Sequence, residues 1–257
     1  MKSEEKKTVK FPDFSSLTNE ELIELEIYHD FDPDFCVRQL NRLYGKINAI
    51  QDQEIVKSVY DGKVLDVGSG FGSLSYRLKK NNIDVTSLEP DENSAKIAKA
   101  QYGIDSRNYS IYDTPFSDNE FDTVILRECV EHLDFELAMD EIRRICSKRV
   151  LIFQTNLNFV TEISRRERDH EEFNPQKLSY YKEYLAKYGF SEQKIIYRDP
   201  IAFPLSGGYQ YRQLFPKCEF LENGLLKFDG VLNSVLGALR LSKYICWRYL
   251  LIADKID

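Results

Sequence analysis

Between Lys63 and Ile152 the chain alternates short, β-branched apolar runs with longer stretches whose apolar residues recur at helical spacing. The runs at 63–67, 84–88, 121–126 and 149–153 read as buried strands, with a shorter one near 108–111. Residues 72–80, 91–101 and 134–147 read as the helices between them. Asp134 is placed to cap the last of these, and Ala138, Ile142 and Ile145 fall on one face of it. Such alternation predicts an α/β fold with a doubly wound, mostly parallel sheet, because parallel strands need crossover connections and helices supply them. Downstream, Asn174-Pro175 opens a further helix carrying Leu178, Tyr181, Leu185 and Tyr188, which Gly189 closes.

The flanks read differently. Residues 1–14 are charged and lack periodicity, which predicts a mobile arm. Thr18-Asn19-Glu20-Glu21 has the form of a capping box, followed by Leu22, Ile23, Leu25 and Ile27 at helical spacing, and a second helical stretch runs from Asp34 to Tyr60. The expected organisation is a single domain over 15–257: N-terminal helices at 15–60, a core at 61–198, a long segment at 199–241 and a closing strand within 242–257.

The segment Val64-Leu65-Asp66-Val67-Gly68-Ser69-Gly70-Phe71-Gly72 reads as a buried strand breaking into a tight turn that brings backbone close to a ligand. The helix that follows points its free N–H groups at the same place. Val85-Thr86-Ser87-Leu88-Glu89 then delivers a carboxylate at the distance where a βαβ unit reaches ribose hydroxyls. The spacing is GxGxG, with Ser73 where a nicotinamide fingerprint would have its third glycine, and this favours a different adenosine cofactor.

Val64 to Gly72, Glu89 and Pro115-Phe116-Ser117-Asp118-Asn119-Glu120-Phe121-Asp122-Thr123-Val124-Ile125-Leu126 resemble the ordered motifs of class I S-adenosylmethionine-dependent methyltransferases. Arg248-Tyr249-Leu250-Leu251-Ile252-Ala253-Asp254-Lys255 resembles the final strand of that fold. The resemblance spans residues 45–198 and the last ten. It implies a Rossmann-like, seven-stranded sheet with N-terminal helices. It also implies S-adenosyl-L-methionine as cofactor, bound by Asp66, Gly68, Ser69 and Gly70 at the glycine turn and by Glu89 at the ribose. Pro90, Ile111 and Tyr112 are then expected beside the adenine, and Arg127 at the methionine end. Ser110 stands where the family has an acid, for which Asp113 is a candidate replacement. N-terminal helices in the family lie across the mouth of the site, so Tyr28 and His29 are candidate substrate contacts, with a packed aromatic face as the other reading. The family joins its sixth and seventh strands by a short hairpin, whereas here residues 199–241 intervene. That departure reads as a helical insertion before the last strand that covers the acceptor pocket, with Tyr209, Tyr211 and Arg212 as candidate substrate contacts, or as a homodimer interface.

The run Glu128-Cys129-Val130-Glu131-His132 follows the fourth core strand. If helical, it sets Glu128, Glu131 and His132 on one face as a candidate trident for Mg or Mn, with His170 as a fourth ligand. The ExxEH pattern is similar to that of metal-assisted O-methyltransferases of ubiquinone biosynthesis and of enzymes that methylate small-RNA 3′ ends. A Glu-His pair here also occurs in metal-independent small-molecule methyltransferases, with the histidine as general base or pocket wall. His132 is the catalytic candidate, and a purely structural role for the run is the third reading.

A net charge of −7 argues against nucleic acid as partner, since broad phosphate neutralisation needs the opposite sign. The five cysteines are scattered without a CxxC pair, and the first residues lack the apolar core of a signal peptide. The apolar stretch from Val231 to Ala253 is interrupted by Arg240, Lys243 and Arg248, so no membrane span is expected and a cytoplasmic location is. The expected activity is methyl transfer to oxygen, less readily nitrogen, of a small-molecule acceptor such as a sugar, a glycan precursor, a phenol or a phosphorylated amine. The alternatives are a metal-dependent RNA 2′-O-methyltransferase and a non-catalytic nucleoside-binding scaffold.

Overall fold

The computed structural model describes residues 42–158, 161, 176–207 and 213–256. The apolar runs become strands β1 (Lys63–Val67), β2 (Asp84–Leu88), β3 (Ser106–Arg107), β4 (Phe121–Arg127), β5 (Cys146–Thr155), β6 (Phe190–Arg198) and β7 (Arg248–Lys255). They form one seven-stranded sheet in the order β3-β2-β1-β4-β5-β7-β6. Every neighbouring pair is parallel except those made by β7, which runs antiparallel to both β5 and β6.

Helices α1 (Arg42–Val56), α2 (Ser73–Lys80), α3 (Glu92–Tyr102), α4 (Phe135–Ile145) and α5 (Leu178–Lys187) flank the core strands. Between β6 and β7 lie α6 (Ala202–Leu205), α7 (Glu219–Ala238) and α8 (Ser242–Ile245), so the segment at 199–241 is helical as expected. The side chains of β5 alternate between two cores. Val150 and Ile152 join Tyr249 and Leu251 of β7 against Ala138 and Ile142 of α4 and Tyr181 of α5. Leu151 and Phe153 join Leu250 and Ile252 against Ile55 of α1 and Leu74 and Leu78 of α2. This double burial explains why the strands read as unbroken apolar runs.

Asp134 caps α4 by accepting from Leu137 N at 3.2 Å, and Asp91 caps α3 through Ser94 N at 2.7 Å. The short strand lies at 106–107, earlier than the sequence pattern suggested. The Asn108 amide turns back to the carbonyls of Glu89 and Pro90, which ends pairing before residues 108–111. The downstream helix starts at Leu178, and Asn174-Pro175 lie outside the described residues. So do Tyr28, His29, His170, Tyr209, Tyr211 and Arg212.

Candidate active site

The order of the strands reverses direction between β1 and β4, and in open α/β sheets the crevice beyond the carboxyl ends of such strands is where ligands sit. The glycine turn leaves β1 there. Gly68, Gly70 and Gly72 all have left-handed backbones, with φ of 61°, 53° and 79°. A Cβ on Gly68 would come within 2.8 Å of the Cys129 side chain, and one on Gly72 within 3.0 Å of Ala98. Gly72 therefore performs the close helix packing that Ser73 cannot. Gly70 differs, because a Cβ there would meet nothing within 4 Å. Its backbone faces open space at the mouth of the crevice.

Glu89, at the end of β2, is buried and accepts from Gly70 N at 2.7 Å and from Asp91 N at 2.9 Å. Burial pushes its carboxyl above the ordinary range, with the two backbone donors pulling the other way. Each oxygen keeps a lone pair for a further donor. Ser69 and Ser87 join hydroxyls at 2.6 Å beneath the turn. Asp66 is fully buried behind it, accepts from the Ser75 hydroxyl at 2.7 Å, and has its pKa pushed up to about 6 by desolvation. Asp66 thus braces the turn from inside the core.

Pro90 is exposed next to Glu89, Ile111 is buried and Tyr112 is exposed. The Tyr112 hydroxyl accepts from Asp134 N at 2.8 Å, which ties the loop before β4 to the loop after it. Arg127 lies at the end of β4. It pairs with Asp52 of α1 at 3.1 Å and reaches Ser73 Oγ at 3.4 Å. Burial works against its charge, but Asp52 and Glu128 hold its pKa above the ordinary value. Its Nε is buried without a hydrogen-bond partner among the described residues. Asp52 also pairs with Arg77 at 2.6 Å, so α1 is fixed to both α2 and β4.

The run after β4 corrects the sequence reading. Glu128 has a left-handed φ of 51°, and only Val130–His132 form a single 3-10 turn, so Glu128, Glu131 and His132 do not share a helical face. Glu128 pairs with Arg248 at 3.0 Å, whereas Glu131 accepts from the Gln154 amide at 2.8 Å. Arg248 and Gln154 lie opposite Thr155 and Tyr249 in the β5–β7 ladder, one register step apart, so the two carboxylates are drawn towards opposite faces of the sheet. Among the described residues no group of three His, Cys, Asp or Glu side chains could hold a metal ion. His132 is exposed at the mouth, its backbone N–H closing the turn on Cys129 O at 3.0 Å.

Sequence reasoning missed Asp52, Gln154, Asp199 and the part played by Arg248. The Arg248 guanidinium is fully buried, donates to Asp199 at 3.1 Å as well as to Glu128, and lies 3.9 Å from the Phe203 ring centroid. Gln51 of α1 donates to the same Asp199 carboxylate at 2.7 Å. Each of these partners is distant in sequence and carries no local pattern, so only the fold reveals them.

Residues 65–153 match the family model described as a methyltransferase domain. An uncharacterised methyltransferase from Staphylococcus carnosus is 27% identical over 123 residues, covering 46% of this chain and 59% of that protein. The chain spans about 60% of the length of the curated relatives it matches. A SAM-dependent methyltransferase structure from Archaeoglobus fulgidus superposes with a TM-score of 0.59 at 17% identity, covering 93% of this chain and 100% of that one. Geranyl diphosphate C-methyltransferase from Streptomyces coelicolor, solved with Mg2+, geranyl diphosphate and S-adenosyl-L-homocysteine, gives 0.57 at 14% identity over 83% and 81% of the two chains.

Proposed function

We propose, for a chain that carries a class I S-adenosylmethionine-dependent methyltransferase domain, that it transfers the methyl group of S-adenosylmethionine to an oxygen of a small-molecule acceptor. The observation that supports this reading most is the pairing of Glu89 with the open backbone of Gly70 at the β1–β4 crevice.

The residues present fit the cofactor. Glu89 is positioned for ribose hydroxyls, Pro90 and Ile111 for the adenine, and the unpartnered Nε of Arg127 for the carboxylate of the methionine end. When bound, the cofactor supplies an electrophilic methyl on a positively charged sulfur. The chain's own part is to align the acceptor and take its proton. His132 is the group for that task. Its imidazole offers a lone-pair nitrogen that would accept the proton of an acceptor hydroxyl. Gln154 fixes the neighbouring Glu131, and the buried Gln154 Oε1 and Tyr249 hydroxyl have no hydrogen-bond partner among the described residues, which favours a polar acceptor. The absence of a three-ligand metal cluster among the described residues leaves the metal-assisted reading without support here.

The test is incubation with methyl-labelled cofactor and fractionated cell extract, followed by sizing and nuclease treatment. Label in a low-mass, nuclease-resistant product is expected, and His132→Asn should slow transfer by roughly 10²–10⁴-fold while leaving S-adenosylhomocysteine affinity unchanged. Cofactor binding without transfer to any fraction would mark the protein as a scaffold.

A further inference from the structure

The helix α7 is amphipathic in the inverted sense. Its inward face carries Glu222, Leu225, Asp229 and Leu236, all buried. The two acids on that face are used internally: Glu222 pairs with Lys46 of α1 at 3.2 Å, and Asp229 accepts the N–H groups of Ile201 and Ala202. The outward face carries Phe220, Phe228, Val231, Val235 and Leu239, which are 83%, 58%, 63%, 48% and 61% exposed. At 100° per residue these five side chains fall within one quadrant or little more. A helix on a protein that meets only water shows the opposite arrangement, and a continuous exposed apolar stripe marks a surface that binds something.

The charges around the stripe indicate what. Lys217 just before α7, Lys227 within it, and Arg240 and Lys243 just after it are all exposed, against a single exposed acid over the same stretch, Glu219, in a chain whose net charge is −7. A second copy of this chain would set these bases against their like. None of the helices among the described residues is long and apolar enough to cross a membrane. An apolar helix face flanked by bases is the chemistry of a helix lying in the plane of a bilayer surface.

We propose that the outward face of α7, with the bases along it and at its two ends, docks this protein on the surface of an anionic lipid bilayer. The proposal is independent of the acceptor's identity.

Cosedimentation of the full chain with phosphatidylcholine vesicles, with and without one-third phosphatidylglycerol, tests it. Wild-type protein should pellet with the anionic vesicles, scarcely with the neutral ones, and be released at about 0.5 M salt. The double variant Phe228→Glu, Val231→Glu should lose partitioning by about tenfold or more, as should Arg240→Glu, Lys243→Glu. All four positions are solvent-facing, and an unchanged thermal melt confirms that each variant folds. No partitioning by folded wild type overturns the proposal, as does equal binding to both vesicle types. A concentration-dependent dimer abolished by the Phe228→Glu, Val231→Glu pair also overturns it, assigning the stripe to a second copy instead.

Discussion

On the β1–β2 side of the crevice, Gly70 and Glu89 meet across a separation of 19 residues, inside one strand–helix–strand unit. On the β4–β7 side, Glu128 meets Arg248 across 120 residues, with Asp199 and Gln51 drawn in from two further elements. The first arrangement is made by a single supersecondary unit. The second exists only when β7 has entered the sheet and α1 and the insertion have packed against it. A cofactor site of the first kind can keep its geometry while an acceptor side of the second kind varies, which is how one fold serves many acceptors.

The largest test of this contrast is Arg248→Met. It leaves Glu128 and Asp199 facing a buried space without their cation, so urea denaturation should show a loss of about 3–5 kcal/mol. If the two sides are independent, calorimetry should find S-adenosylhomocysteine affinity nearly unchanged in the folded variant. An equal loss of affinity would join them into one unit.

Next in size, Glu89→Gln should weaken S-adenosylhomocysteine binding by about 100-fold, near 3 kcal/mol, because a charged acceptor of two hydroxyl protons is replaced by a neutral one. Its effect on the unfolding midpoint should be the smaller of the two. A large stability loss with intact affinity would remove Glu89 from the ribose.

Asp66 gives a pH-dependent test. Burial raises its folded pKa to about 6 from an ordinary 3.8, against the pull of Ser75 and Arg127. The stability this group contributes is therefore full below pH 3.8 and lost as pH rises through 6. Asp66→Asn removes that dependence, so the variant should gain on wild type by up to about 3 kcal/mol between acidic and neutral pH. Paired urea midpoints across that range would measure it, and a constant difference would show that the Asp66 carboxyl titrates normally.

The smallest effect is expected at Gly70. Alanine there meets no neighbour but takes on a left-handed backbone, at a cost of about 1–2 kcal/mol. Gly72→Ala should cost more by the same thermal melt, since its Cβ must also displace Ala98 and Ile104.

The same contrast decides what could be read from the chain alone. The four long core strands, the capping role of Asp134, the glycine turn and Glu89 are local patterns, and each lies where the pattern put it, whereas the short third strand lies two residues early. The insertion was legible from its length against the short hairpin of the family, and it is helical as expected. The Glu128–His132 run was misread because periodicity cannot sense that Arg248 pulls Glu128 towards one face while Gln154 holds Glu131 towards the other. Asp52 and Asp199 had no signal at all, as their partners are set by packing between distant elements. Asp66 was expected at the glycine turn, and its buried carboxyl accepts from the Ser75 hydroxyl beneath that turn, a partner that burial and packing reveal.

The place of β7 has a consequence for synthesis. Among the described residues it is the one sheet partner of β6, yet follows it by roughly fifty residues, or several seconds of translation. During that interval the nascent β1–β5 sheet presents the open edge of β5, and β6 has no strand to join. Conditions that slow elongation through the α6–α8 segment lengthen the exposure of both edges. Yield of soluble protein should then depend on the speed of translation over the α6–α8 segment.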